Sequence, residues 1–253
     1  MFTRRTPRVV SAVKLHKRKD REARGEFLAE GPSAVAAAQQ ASVVRHTYVT
    51  ADRAREYPEA DVVTDDAMAA LCETVQPQGV VAVCETVDIP FDDALAKQPR
   101  LVAVLLDIRD PGNAGTILRT ADAAGADLVV FAGDAVDPYN GKCVRASAGS
   151  LFHVDVVCER DWSGLIARLR SAGLQTLATS GYAASDLDEL VDADRLAGRT
   201  AWIFGSEAHG LPADALSEAD EAVRVPIYGG AESLNLAAAA AVCLYASARA
   251  QRT

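Results

Sequence analysis

No stretch of this 253-residue chain approaches about 18 uninterrupted apolar residues, which excludes a hydrophobic membrane-spanning helix. No apolar core segment and small-residue cleavage site follow the basic start, so no secretory signal is expected. Cysteine is scarce. The five present (Cys72, Cys84, Cys143, Cys158, Cys243) are odd in number and form no Cys-x-x-Cys pair. The four histidines (His16, His46, His153, His209) do not cluster with them, so no metal site is expected. Reduced, mostly buried thiols in a cytoplasmic protein are the simplest reading. The nucleotide fingerprints are also missing. Gly112-Asn113-Ala114-Gly115 lacks the spaced third glycine of a dinucleotide-binding turn, and no phosphate-loop motif is present. Neither an internal repeat nor a long low-complexity tract interrupts the chain.

What is present is an ordinary globular composition, 49% hydrophobic and 24% charged, long enough for one large domain or two modest ones. The net charge of −9 hides an asymmetry. Residues 1–24 hold nine Lys or Arg against Asp20 and Glu22, a net +7 that leaves −16 for the rest. A concentrated basic face holds phosphates even on an acidic protein. Charge alone leaves a solvated helix or a disordered basic tail equally open.

Strands and helices alternate. In the first part, residues 27–31 (FLAEG), 43–50 and 79–84 read as strands. Segments 33–41 and 65–74 read as helices, the second with Asp65 or Asp66 as N-cap. Residues 86–100 carry two prolines and several charges, which places a domain boundary near residue 97, dividing the chain into 1–96 and 97–253. Beyond it, strands are expected at 101–106, 126–131, 152–157, 174–179, 200–204 and 222–226. Helices are expected at 116–124, 162–171 and 234–248. This alternation predicts an α/β fold with a parallel sheet covered on both faces.

In such sheets ligands bind where loops leave the C-terminal ends of strands, and three loops there are enriched in suitable groups. Residues 107–119 (DIRDPGNAGTILR) contain Asn113, a candidate helix cap or ligand group. Arg119 lies six residues on, about one and two-thirds turns away. Residues 203–211 (IFGSEAHGL) bracket Glu207 with Gly205 and Gly210. His209 lies near it, with nothing else in the loop to orient it as a base. Residues 225–235 (VPIYGGAESLN) lead into the last helix, with Ser233 a natural N-cap and Asn235 just inside.

Together and in this order, the three segments resemble the three motifs of the SpoU (TrmH) family in the SPOUT methyltransferase superfamily. Asn113, Gly115 and Arg119 match the first; Gly205, Glu207, Gly210 and Leu211 the second; Pro226, Gly229, Ser233, Leu234 and Asn235 the third. The match covers roughly residues 100–250. Leu236 and Ala237 depart from the usual Val and Ser. The resemblance implies a trefoil-knotted catalytic domain, a homodimer, and S-adenosylmethionine-dependent methylation of a ribose 2′-hydroxyl in structured RNA, with 23S rRNA the expected substrate. The alternatives are a tRNA ribose methyltransferase and a non-catalytic RNA-binding protein.

By the same resemblance, Thr179, Gly205, Val225, Ile227, Ser233 and Leu234 hold the cofactor. Asn113, Arg119, Glu207 and Asn235 form the catalytic set, and Arg145 matches an arginine that some relatives place on the substrate side. The first part is similar to the α/β sandwich, like certain RNA-binding ribosomal proteins, that often precedes this domain. Its closest likeness is to the rRNA-modifying branch with the thiostrepton-resistance enzymes. Arg8, Lys14, Lys17, Arg18 and Arg21 are its expected RNA contacts. A dehydrogenase on another parallel fold is the rival from a different class; NAD(H) binding without S-adenosylmethionine binding would mark it.

Overall fold

The computed structural model describes residues 1–252. Along the chain the first elements are α1 (Pro7–Val13), α2 (Arg18–Arg24), β1 (Glu26–Glu30), α3 (Pro32–Gln40), β2 (Val44–Val49), β3 (Asp61–Val62), α4 (Asp65–Leu71) and β4 (Val80–Glu85). Then come α5 (Phe91–Ala96), β5 (Leu101–Leu106), α6 (Pro111–Ala124), β6 (Leu128–Ala132), α7 (Gly141–Ser147) and β7 (Asp155–Glu159). The last are α8 (Leu165–Ser171), β8 (Gln175–Thr179), β9 (Ser185–Asp186), α9 (Leu187–Asp192), β10 (Thr200–Phe204), α10 (Ala213–Glu218), β11 (Glu221–Arg224) and α11 (Leu236–Ala250).

These divide into two compact units. One is Met1–Val87 with Asp137–His153; the other is Asp88–Val136 with the described residues from Val154 onward. The division differs from the expected 1–96 and 97–253 in two ways. Residues 88–96 belong to the second unit: Ile89 N donates to Val156 O (2.9 Å), and Phe91 and Ala94 join that unit's core. Residues 137–153, with α7, belong to the first. Nothing local in the sequence marks that excursion, because a short helix docking far from its neighbours in the chain leaves no periodic trace.

In the first unit the sheet order is β1-β4-β2-β3, antiparallel except for β2 against β3. Val9, Leu15, Met68, Leu71 and Val81 pack in one cluster against it. The basic N-terminus is ordered helix, not a tail, because Val9, Ala12 and Leu15 recur at helical spacing and bury. Arg21 is buried: its guanidinium donates twice to Asp137 Oδ2 (2.9 and 2.6 Å) and to the carbonyls of Leu15 and His16. That corrects its expected role as an RNA contact; removing one partner would leave a buried charge, so the pair is structural. The cap of α4 is Thr64, whose hydroxyl accepts from Ala67 N, and Asp65 and Asp66 sit in the first turn, where carboxylates favour the helix dipole.

The second unit is an α/β layer built on a parallel sheet, order β7-β6-β5-β10-β8-β11-β9. β5 (LVAVLL) and β10 (TAWIF) are buried at every position, as central strands covered on both faces must be. They pair in parallel from Leu101↔Thr200 to Leu105↔Phe204. Expected strand 152–157 is displaced: residues 150–152 form a 3-10 turn and β7 starts at Asp155. Helix α6 begins five residues before the expected 116. Asp110 caps it by accepting from Asn113 N (2.7 Å), Pro111 occupies the first turn, and Gly125 closes it in the left-handed conformation. Helix α11 packs on α6 and on β10, where the buried Trp202 Nε1 donates to Ser247 Oγ (2.9 Å).

Candidate active site

The strands that end at the motif loops are neighbours. β5, β10, β8 and β11 lie side by side and parallel, so the loops after Leu106, Phe204, Thr179 and Arg224 emerge together along one edge of the sheet. At the ends of the two middle strands, Thr179 Oγ1 donates to Ile203 O (3.0 Å).

Three motif residues, remote in sequence, meet there. Asn235 is the N-cap of α11, correcting the expectation for Ser233: its Oδ1 accepts from Ala237 N (2.9 Å) and Ala238 N (3.3 Å). Two backbone donors on Oδ1 fix the amide's orientation, so Nδ2 points away from the helix. It donates to Asn113 Oδ1 (3.1 Å). Asn113 in turn must present Nδ2 on its other side, and that group donates to Glu207 Oε1. The relay therefore has one polarity, from helix end to amide to amide to carboxylate. Asn113 does not cap α6, contrary to one of its expected roles; Asp110 does, and it was missed although an Asp-Pro pair is a helix-start signal.

Glu207 sits on a tight loop. Ser206 and Gly210 form a bridge, with Gly210 N donating to Ser206 O (2.8 Å). A Cβ at Gly205 would lie 2.4 Å from the Gly210 carbonyl carbon and 2.5 Å from Leu211 N, backbone atoms that cannot yield, so only glycine fits. His209 is exposed, and its ring has no hydrogen-bond partner among the described residues.

Arg119 stands apart from the relay. It is exposed on α6, about 9 Å along the axis and 120° round from Asn113, and pairs with no acid among the described residues. Arg145 is not part of the second unit. It belongs to the first unit, on α7, where it pairs with Glu30 (3.0 Å) and Glu73 (3.6 Å).

Loop 225–235 carries four of the six expected cofactor residues; Thr179 ends β8 and Gly205 follows β10. Val225 is half-buried and Ser233 exposed. The apolar side chains of Ile227 (38% exposed) and Leu234 (40% exposed) are unusually open for their kind. Tyr228, also exposed, donates its hydroxyl to Asp188 on α9, and this bond raises the phenol pKa above its ordinary value. Such apolar surface beside loop backbone at a sheet's C-terminal edge fits an adenine ring and an aliphatic chain.

Residues 100–245 match the SpoU rRNA Methylase family, and residues 6–82 match the MRM3-like substrate binding domain. The chain belongs to the SpoU rRNA methylase family. A relative from Bacillus subtilis, 23S rRNA (guanosine(2553)-2′-O)-methyltransferase RlmP, is 34% identical over 238 residues, 92% of each chain. Among solved structures, the SpoU methyltransferase AviRb from Streptomyces viridochromogenes, in complex with the cofactor AdoMet, superposes with a TM-score of 0.84. It is 31% identical, with 98% of each chain covered. An AdoMet-bound rRNA methyltransferase from Sinorhizobium meliloti superposes equally, at 28% identity over 96% of this chain and 95% of that one. The three residues that the relay joins, Asn113, Glu207 and Asn235, all lie within the matched span.

Proposed function

We propose that the protein methylates a ribose 2′-hydroxyl in ribosomal RNA, with S-adenosylmethionine as methyl donor and 23S rRNA as substrate. The observation that carries this reading is the Asn235–Asn113–Glu207 relay at the C-terminal sheet edge, built from all three family motifs. S-adenosylmethionine supplies an electrophilic methyl group. Thr179, Gly205, Val225, Ile227, Ser233 and Leu234 would hold the cofactor, the apolar members offering nonpolar surface and the loop backbone hydrogen bonds. Asn113 and Asn235 orient the ribose, and Glu207 locks Asn113.

Arg119 holds the adjacent phosphate and stabilises negative charge developing on the 2′-oxygen. The proton lost from the 2′-hydroxyl passes to solvent and not to Arg119, whose guanidinium is already protonated, with a pKa above about 12. In-line placement of oxygen and methyl provides much of the acceleration.

The substrate RNA is gripped by the first unit. Of the nine basic residues in the +7 segment, Arg4, Arg8, Arg18, Arg21 and Arg24 face acids within the fold. Arg5, Lys14, Lys17 and Lys19 are exposed, and their side chains pair with no acid among the described residues. They are the better phosphate contacts; Arg8 and Arg18 would have to exchange partners. A homodimer, a trefoil-knotted catalytic unit and a cytoplasmic location belong to the same reading. Among the described residues no helix is long and apolar enough to cross a membrane. Sedimentation at micromolar concentration showing only monomer would overturn the dimer, and an experimental chain trace without threading would overturn the knot.

The central test incubates the protein with labelled S-adenosylmethionine and ribosomal RNA from cells lacking its gene. A single ribose-methylated nucleotide in 23S rRNA is expected. Methyl transfer to tRNA alone, or RNA binding with no transfer, would refute the reading.

A further inference from the structure

The first unit contains a cavity of about 270 Å³ that none of the motifs explains. Glu30, Ser33, Ala34, Thr74, Arg145 and Ala148 contribute to its lining. Its size, just below the range of small-molecule sites, suits one planar ring system rather than a dinucleotide.

Its polar groups are arranged asymmetrically. The Glu30 side chain is only 5% exposed. Its Oε1 accepts from Glu73 N (2.9 Å) and Arg145 Nη1 (3.0 Å), which occupies both lone pairs. Its Oε2 is buried and has no partner. An orphaned buried carboxylate oxygen is costly unless a donor reaches it. Next to it, helix α3 begins at Pro32, leaving the N–H groups of Ser33 and Ala34 without intrahelical acceptors. The N-cap is Gly31, which has no side chain to satisfy them. The cavity is thus bordered by the start of α3, with its free backbone donors, and by Glu30, whose covered Oε2 keeps two free lone pairs; Ala34, Cys72 and Ala148 supply apolar wall.

Resting on the reading of the protein as an RNA methyltransferase, we propose that this cavity receives one unstacked guanine base of the substrate RNA. Guanine alone among the four bases presents an acceptor, O6, next to two adjacent donors, N1–H and N2–H. O6 meets the α3 amides and the two donors meet Glu30 Oε2. Adenine and cytosine each place a ring acceptor beside their amino group, and uracil flanks its single N–H with carbonyls; all three set a lone pair against the carboxylate. Single-stranded bases in RNA are commonly read in this way, splayed out and bonded along the Watson–Crick edge. Oε2 lies behind the cavity surface, so a base reaches it only when a side chain of the lining swings aside. The assignment gives Arg145 a place on the substrate side, in the first unit.

The test titrates the full-length protein, methyl-labelled at alanine, with each of the four nucleoside 5′-monophosphates. GMP is expected to shift the Ala34 and Ala148 methyl resonances, with an affinity at least about tenfold above AMP, CMP and UMP, as befits a charge-assisted hydrogen bond. Glu30→Gln, which keeps the shape and removes the charge, should abolish that preference. Because this change also disturbs the Arg145 pair, Thr74→Phe is the companion. It narrows the cavity without touching Glu30 and should weaken GMP binding while the melting temperature holds. Equal shifts with all four nucleotides, no shifts at either alanine, or an undiminished GMP preference in a folded Glu30→Gln protein would each overturn the proposal. Calorimetry with S-adenosylmethionine on the same samples reports the second unit separately. Its failure would count against the methyltransferase reading and not against the guanine site.

Discussion

Asn235 caps α11 with one atom and holds Asn113 with another, so substitution can separate the two roles. Asn235→Ala removes both. Loss of an N-cap costs about 1 kcal/mol, within a range of roughly 0.5–2. In a protein of this size that lowers the melting temperature by about 2–4 °C. Asn235→Asp keeps the acceptor for Ala237 N and Ala238 N, and carboxylates cap as well as amides, so the melting temperature should stay within about 1 °C of wild type. The donor to Asn113 Oδ1 is nevertheless gone. The new carboxylate faces a carbonyl oxygen, and if Asn113 flips to satisfy it, its own oxygen turns towards Glu207. Asn113 cannot serve both neighbours. A displacement of about 1 Å at a reacting centre costs on the order of 100-fold in rate. Single-turnover methyl transfer from labelled S-adenosylmethionine, with thermal melting of the same samples, is the assay. Transfer by Asn235→Asp at the wild-type rate would show that the relay positions nothing. A melting temperature as low as that of Asn235→Ala would show that the cap is misassigned.

Arg119→Ala should lower single-turnover transfer by about 10²–10³-fold while leaving the fold and cofactor affinity intact; Arg119→Lys should restore part of the rate if charge alone matters, and wild-type transfer by Arg119→Ala would place the active site elsewhere. Leu234→Arg should abolish S-adenosylmethionine binding by setting a long cation in the apolar part of the loop, and equal affinity by calorimetry would remove that loop from the cofactor site. Lys14→Ala, Lys17→Ala and Lys19→Ala combined should weaken RNA binding without changing cofactor binding. The log–log salt slope should become shallower by about 0.9 for each lost duplex phosphate contact. An unchanged slope would make these lysines a solvated face.

Legibility in the sequence followed the range of the forces involved. β5 and β10 have the predicted bounds because their apolar runs are continuous and buried on both faces. The start of α6 and the cap of α11 were misplaced by a few residues: Asp110, Asn113, Ser233 and Asn235 are all competent caps, and tertiary contacts choose among them. The joining of Asn113 to Glu207 and Asn235 was implied only through motif order. Spacing within one helix gives no hint of a partner 94 or 122 residues away. Charge counting misled most. Arg21 contributes to the +7 segment, yet its partner Asp137 lies 116 residues on, in the excursion that returns to the first unit. A net charge records composition, whereas a phosphate senses only the cations that the fold leaves unpaired.

The relay also explains why two of its three residues are amides. Glutamates at positions 113 and 235 would bring three carboxylates into one exposed cluster, and like charges at hydrogen-bond distance do not remain ionised together. Lysines would supply donors but no acceptor, so neither the α11 amides nor the second link could form. An amide carries one donor and one acceptor on opposite sides. Linked amides pass a fixed orientation from one end to the other without titrating. The fixed end here is the α11 helix start, whose N–H groups have no freedom to change polarity. The free end is the Glu207 carboxylate, accepting and exposed. Between them Asn113 is held at both ends of its amide, so the site holds one orientation before any ligand arrives, and ordering it need not draw on binding energy.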